Sequence, residues 1–260
     1  LEIKRPKVTI VIPFYNDPYV GEAIDSALAQ SYDNLEIIVV DDGSTLHQDK
    51  VAPYLNRIYY LGKANGGTAS ALNHGFRYAT GEYIAWLSSD DRFHSGKVEK
   101  QLDAMIRSGA LIGHTGFNQM DAAGSLTRTS ILPPGYESGE LYRALRKSNP
   151  VNGSTVMMHQ SLFRLIGKFN ESLPYTHDLD YWFRVLLTGI PLHLTPEALM
   201  DYRMHEAMGT VRHSAAIARE VEAVYEKYGK RWELYLTQLG YITSNTDARS
   251  ESKRSRRISR

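Results

Sequence analysis

Apolar and polar positions come in blocks along the first ninety residues. Lys7 to Ile12 is a mostly β-branched apolar run halted by Pro13, the pattern of a strand buried on both faces. Asp17 and Pro18 then read as a helix cap and a first-turn proline, and Val20, Ala23, Ile24, Ala27 and Leu28 recur at helical spacing. A second apolar run, Leu35 to Val40, closes on Asp41-Asp42-Gly43-Ser44. A third, Arg57 to Leu61, closes on the loop Lys63 to Thr68, which leads into a helix ending near Ala79. Glu82 to Leu87 forms a fourth strand that stops at Ser88-Ser89-Asp90-Asp91. The order β-α-β-α-β-α-β predicts a mostly parallel sheet with helices on both faces, in which ligands gather beyond the carboxyl ends of the strands. Polar clusters follow each of these strands, so one crevice would collect all four.

Beyond Asp91 the spacing predicts a helix over 95–107, a strand near 111–117, a hairpin around Asp121 to Gly124, a helix over 137–147, a strand over 154–158, and helices over 159–166 and 178–188. Two more helices are expected after Ser214. With 260 residues and 42% hydrophobic content, the chain suits one compact α/β domain over 1–240. Its parts are a first half over about 7–118, a second half over about 119–213, and closing helices over 214–240. Residues 241–260 are expected to be a disordered basic tail, since five Arg and one Lys face one Glu over 249–260. Such a tail is either a solvated end or a contact for anionic lipid.

No apolar run reaches the roughly 18 residues of a membrane span, and Leu1 to Lys7 lack the apolar stretch of a signal peptide. The expected location is cytoplasmic, peripheral to the membrane at most through the tail. A chain opening on Leu1 reads as a piece of something longer. Without cysteine, any metal must be held by oxygen or imidazole. The body has no basic face interleaved with aromatics, which argues against nucleic acid as a partner.

Asp90 and Asp91 would repel one another at the lip of the sheet unless a hard ion such as Mg²⁺ or Mn²⁺ lay between them; a capped turn is the alternative. Asp42 would either accept the imide N–H of a pyrimidine or cap its own turn. Tyr15 would stack on that base or stand as a loop tyrosine. Asn65, Gly66 and Gly67 open a helix where backbone approaches a ribose or phosphate, although neither G-x-G-x-x-G nor the P-loop pattern is present. Asp178 and Asp180 lie at the start of an apolar helix, as N-terminal caps or as a general base for an acceptor hydroxyl. His205 would serve a metal, a phosphate or the core.

Together these residues resemble the inverting family 2 glycosyltransferases, which have the GT-A fold. The resemblance covers about residues 7–213. It is carried by Val8 to Asn16, Ile38 to Ser44, Asn65 to Gly75 and Gly81 to Asp91, and later by Asn152 to Met157, Gly167 to Glu171, His177 to Trp182 and Tyr202 to His205. It implies a Rossmann-like sheet flanked by helices with a smaller acceptor-side subregion. Pro13, Tyr15 and Asp42 would line the nucleoside pocket, with Asn65, Gly67, Asn73 and Asp90 on the nucleotide side. Asp91, rather than Asp90, would be the direct Mn²⁺ or Mg²⁺ ligand, with His205 near the diphosphate. Asp178 would be the catalytic base; His177 stands where the family has glutamate, which keeps Asp180 as a second candidate.

The implied activity is transfer of a sugar from a nucleotide-sugar donor, UDP-linked by expectation, to a glycan, lipid-linked or small-molecule acceptor with inversion. Processive members carry Q-x-x-R-W and membrane helices. Arg231-Trp232 here follows Tyr228 instead of Gln, so transfer of single sugars is expected. A sugar nucleotidyltransferase is the enzyme alternative, opposed by Pro13 to Asn16 in place of a G-x-G-T-R-L loop. A non-catalytic nucleotide-sugar-binding module is the other.

Overall fold

A computed structural model describes residues 5–135 and 139–243. The elements in chain order are β1 (Val8–Phe14), α1 (Val20–Leu28), β2 (Leu35–Asp41), β3 (Tyr59–Gly62), α2 (Thr68–Tyr78), β4 (Tyr83–Trp86), β5 (Arg92–Phe93) and α3 (Lys97–Ser108). Then follow β6 (Ile112–Met120), β7 (Leu126–Ile131), α4 (Glu140–Ala144), β8 (Met157–His159), α5 (Gln160–Ile166), α6 (His177–Leu186), β9 (His193–Arg203), α7 (Gly209–Arg212) and α8 (Ser214–Gln238). The basic tail expected over 241–260 lies outside the described residues from 244 onward.

All nine strands form one sheet in the order β3-β2-β1-β4-β8-β6-β9-β5, with β7 on β6. The first four pair in parallel. β8 runs antiparallel between β4 and β6, and β9 returns parallel to β6. The parallel half therefore matches the expectation, and the second half is mixed. β1 is buried at all seven positions because helices cover both its faces. Val11, Ile38 and Val40 face a core built with α2, α6 and α8, whereas Ile10, Ile12 and Val39 face α1 and α3. Helix α2 lies so close to the sheet that a Cβ at Gly75 would fall 2.4 Å from a Val11 methyl.

Two expectations fail, and one long strand had none. The connection between β2 and β3 is not a helix but two 3-10 turns, at Gln48–Lys50 and Ala52–Tyr54. The two helices expected after Ser214 are the single 25-residue α8. The eleven-residue β9 had no sequence counterpart. Its pairing with β6 jumps from Thr195 to Ala198, so a bulge absorbs Pro196 and Glu197, which break the apolar rhythm.

Candidate active site

The carboxyl ends of β1, β2 and β4 open into one cavity of about 810 Å³. Among the described residues its walls carry Asp17, Asp42, Asp90, Glu171 and Asp178 but no Lys or Arg. Pro13, Tyr15, Asp42, Asn65, Gly67, Asp90, Asp178 and His205 all line it. Asn73 and Asp91 do not.

At one end the loops after β1 and β2 are stitched together. Asn16, in the left-handed region at φ 50°, accepts from Thr45 and Leu46 backbone N–H at 2.7 and 2.8 Å. Asp41 caps its own turn, accepting from Ser44 N and Gln48 Nε2. Asp42 accepts from Gly66 N and Gly67 N, at 2.7 Å for the shorter contact, and pairs with Lys63 Nζ at 2.5 Å. Its carboxylate thus fixes the Asn65 to Gly67 loop at the start of α2 rather than capping its own turn, while its surface still forms cavity wall. Tyr15 projects half exposed beside it.

In the middle, Asp90 Oδ2 lies 3.2 Å from His205 Nε2 and Oδ1 has no partner among the described residues. Ser89 Oγ donates to Asp17 Oδ2, which brings a second carboxylate alongside. Burial raises the Asp17 pKa, and the Asp90 charge adds to it. Asp91 turns the other way. It is 1% exposed, accepts from Arg203 N at 3.0 Å through Oδ1, and burial pushes its pKa well up, with Asp90 adding to the rise. The two carboxylates part at a turn closed by Asp91 N–H on Ser88 O at 3.2 Å: Asp90 lines the cavity, and Asp91 lies behind it with Oδ2 buried and without a hydrogen-bond partner among the described residues.

No cluster of three or more His, Cys, Asp or Glu set to hold a metal exists among the described residues. The residues nonetheless fit a hard divalent ion shared with a ligand. Among the described residues Asp90 Oδ1 has no hydrogen-bond partner, an imidazole stands beside Oδ2, and the lining has no Lys or Arg to meet a diphosphate.

At the far end Asp178 begins α6. It accepts from Asn149 Nδ2 at 2.6 Å and from Leu179 N at 2.8 Å, and burial raises its pKa. His177 packs its ring against Trp86 at 5.5 Å, and burial lowers its pKa, so the residue in the glutamate position is a neutral imidazole. Trp86 is held from behind by backbone: a Cβ at Gly153 would overlap its ring at 2.1 Å. Two expected site residues are structural instead. Asp180 is 1% exposed and tied by Arg184, Lys227 and Tyr228. Asn73 exchanges two hydrogen bonds with the Phe169 backbone and donates a third to Glu171.

Sequence reasoning passed over Arg203, although it sits in the Tyr202 to His205 segment. Fully buried, it donates through Nε to Asp90 O at 2.8 Å, through Nη1 to Ala122 O at 3.1 Å and through Nη2 to Glu22 Oε2 at 2.6 Å. Its guanidinium lies 4.1 Å from the Tyr19 ring centroid. Ser154 was missed as well; its Oγ accepts from Ser88 N and bonds Ser88 Oγ, seating the 3-10 turn Gly153–Thr155 on the loop that bears Asp90.

The sequence model of glycosyl transferase family 2 matches residues 9–166. The chain belongs to glycosyl transferase family 2. An uncharacterized glycosyltransferase of Rickettsia felis is 38% identical over 224 residues, covering 82% of this chain and 37% of its own length. The present glycosyltransferase thus spans well under half of that relative. A putative teichuronic acid biosynthesis glycosyltransferase of Bacillus subtilis, TuaG, is 29% identical over 85% of this chain and 90% of its own. Among solved structures, S. aureus TarS residues 1–349 in complex with UDP-GlcNAc superposes with a TM-score of 0.66, at 18% identity over 84% of this chain and 66% of that one. That likeness shows the GT-A fold. No helix among the described residues of this glycosyltransferase is long and apolar enough to cross a membrane.

Proposed function

We propose that this glycosyltransferase moves one sugar from a nucleotide-sugar donor, UDP-linked, to an acceptor hydroxyl with inversion, in the synthesis of a polysaccharide or related glycan. The observation that carries the reading is that Asp42, Asp90 with His205, and Asp178 all line one cavity. A base loop, a diphosphate position and a general base are thereby brought to one site. TuaG, named for teichuronic acid biosynthesis, and TarS, solved with UDP-GlcNAc, support the donor class and the kind of product.

Tyr15 and the Asn65 to Gly67 backbone would hold the nucleoside, and Pro13 would shape that end. Asp90 and His205 would hold Mn²⁺ or Mg²⁺. When bound there, the ion supplies the positive charge that offsets the departing diphosphate. Asp178 takes the proton of the acceptor hydroxyl. The freed oxygen bonds to the anomeric carbon as the bond from that carbon to the diphosphate oxygen breaks, and the configuration inverts. Partly buried at the cavity edge, with its pKa raised by desolvation, Asp178 is a stronger base than an exposed carboxylate.

Titration of UDP, GDP and dTDP by calorimetry, with Mn²⁺ and again with excess chelator, tests the donor site. UDP is expected to bind with metal and to lose about tenfold or more in affinity in chelator or in Asp90→Asn. If the folded protein takes up none of the three, the donor-site reading falls.

The pH profile gives a second test. A base must be ionised to act, and the Asp178 pKa is raised by burial, with the hydrogen bonds from Leu179 N and Asn149 opposing. Turnover should therefore fall on acidification at a pH above the ordinary carboxylate range. An acidic limb at or below the usual aspartate value of about 4 would mean that Asp178 is not the titrating base.

A further inference from the structure

Resting on the donor reading above, we propose that Tyr175 and His213 form an acceptor subsite that stacks an uncharged pyranose ring, and that this site selects against anionic acceptors. The two rings line the same cavity as Asp178, and Tyr175 lies beside the Gly209 turn that follows His205. Their centroids are 4.7 Å apart and their planes 23° from parallel, so the two rings stack on each other and brace one another against the cavity wall, leaving outer faces and edges to meet a ligand. Neither ring is core: Tyr175 is partly exposed and His213 is exposed. Met208 and Ile217 extend the same wall with apolar surface.

The platform is fixed to the base by hydrogen bonds. Glu220 Oε2, from α8, accepts from Tyr175 N, Thr176 N and Thr176 Oγ1 at 3.0 Å each. That one carboxylate pins the entry to α6, where Asp178 stands three residues past Tyr175. The helix it comes from begins at Ser214, directly after His213. A sugar lying on the rings is thereby held at a set height relative to the base.

The chemistry of the wall identifies the ligand class. One face of a pyranose presents C–H groups that pack on an aromatic plane, and its hydroxyls stay at the edge for polar partners. Glu171 and Asp178 supply such partners, both as acceptors, which suits hydroxyl donors. A carboxylated or phosphorylated acceptor would meet the carboxylates of Glu171 and Asp178 and no Lys or Arg among the described lining residues. Like charges in a partly water-excluded site repel, so anionic acceptors are penalised.

The test uses NMR titration of methyl pyranosides into the full chain, with and without UDP and Mn²⁺. The neutral set is methyl glucoside, galactoside, N-acetylglucosaminide and N-acetylgalactosaminide; the anionic set is methyl glucuronide and glucose 6-phosphate. At least one neutral pyranoside should bind, and each anionic one at least about tenfold more weakly. Tyr175→Ala and His213→Ala should each weaken the neutral ligand by up to about tenfold, the range of an aromatic contact. Tyr175→Phe keeps the ring and should restore binding, while UDP affinity stays within about twofold in all three. Absence of pyranoside binding, equal binding of the anionic set, or unchanged affinity in both alanine variants would each overturn the proposal. Loss of UDP binding by the wild-type protein would count against the donor site alone, since the pyranosides are also measured without nucleotide.

Discussion

Asp178→Asn should lower kcat by about two to four orders of magnitude, the usual contribution of a general base, and leave UDP affinity unchanged. Asparagine keeps the size of the side chain and still accepts from Leu179 N through its oxygen. What it loses is the capacity to take a proton. The partner Asn149, which donates to Asp178 Oδ2 at 2.6 Å, can turn its amide to accept from the new one, giving up only the long 3.2 Å hydrogen bond it accepts from Val151 N. The fold around α6 is therefore preserved, and the change reads on chemistry. Steady-state rates with saturating donor check this. A drop of less than about tenfold would assign proton removal to another group or to water.

Arg203→Ala is expected to be the most destabilising single substitution among the site-supporting residues, at about 3 kcal/mol or more. The guanidinium is buried and serves Asp90 O, Ala122 O and Glu22 at once, so its removal strands two carbonyls and opens a void under Tyr19. Glu22 is 47% exposed on its side chain and can be rehydrated, which holds the loss near the lower end of the range for broken buried pairs. Arg203→Lys should recover little, because one ammonium cannot span three acceptors in a planar fork. Denaturant unfolding measures both variants. The same substitutions should weaken metal-dependent UDP binding, since the Asp90 main chain hangs on this side chain. A loss under about 1 kcal/mol with intact metal response would show that Arg203 supports neither.

The parallel half of the sheet was legible because each of its strands is an apolar run ending in polar residues, a pattern that burial on both faces imposes. The second half was not. β9 hides behind Pro196 and Glu197, and nothing in the local pattern announces that a bulge will carry the strand past them. Within the site, the positions of Asp42, Asp178 and His205 followed from where the strands and helix end. Side-chain direction did not follow. Asp90 and Asp91 are neighbours, and only the pairing of β9 with the loop, through Arg203 N on Asp91 Oδ1, decides which one faces the cavity. Asp178 and Asp180 are two apart on a helix and so point to different faces. The one faces the cavity and the other meets Arg184, Lys227 and Tyr228. Asn73 matched a family segment, but its amide is spent on the Phe169 backbone, a contact 96 residues away that no short motif encodes.

Glu220 ties the start of α6 to a helix that takes no part in the sheet. The strand ends that carry Asp42 and Asp90 belong to the sheet and are constrained by its register, whereas α8 can accept substitutions on its cavity side without shifting a single strand. Under the proposed reading, this divides the molecule into a slowly and a rapidly varying part: relatives could diverge in what they glycosylate by rewriting one helix and the turn before it, and keep the same donor throughout.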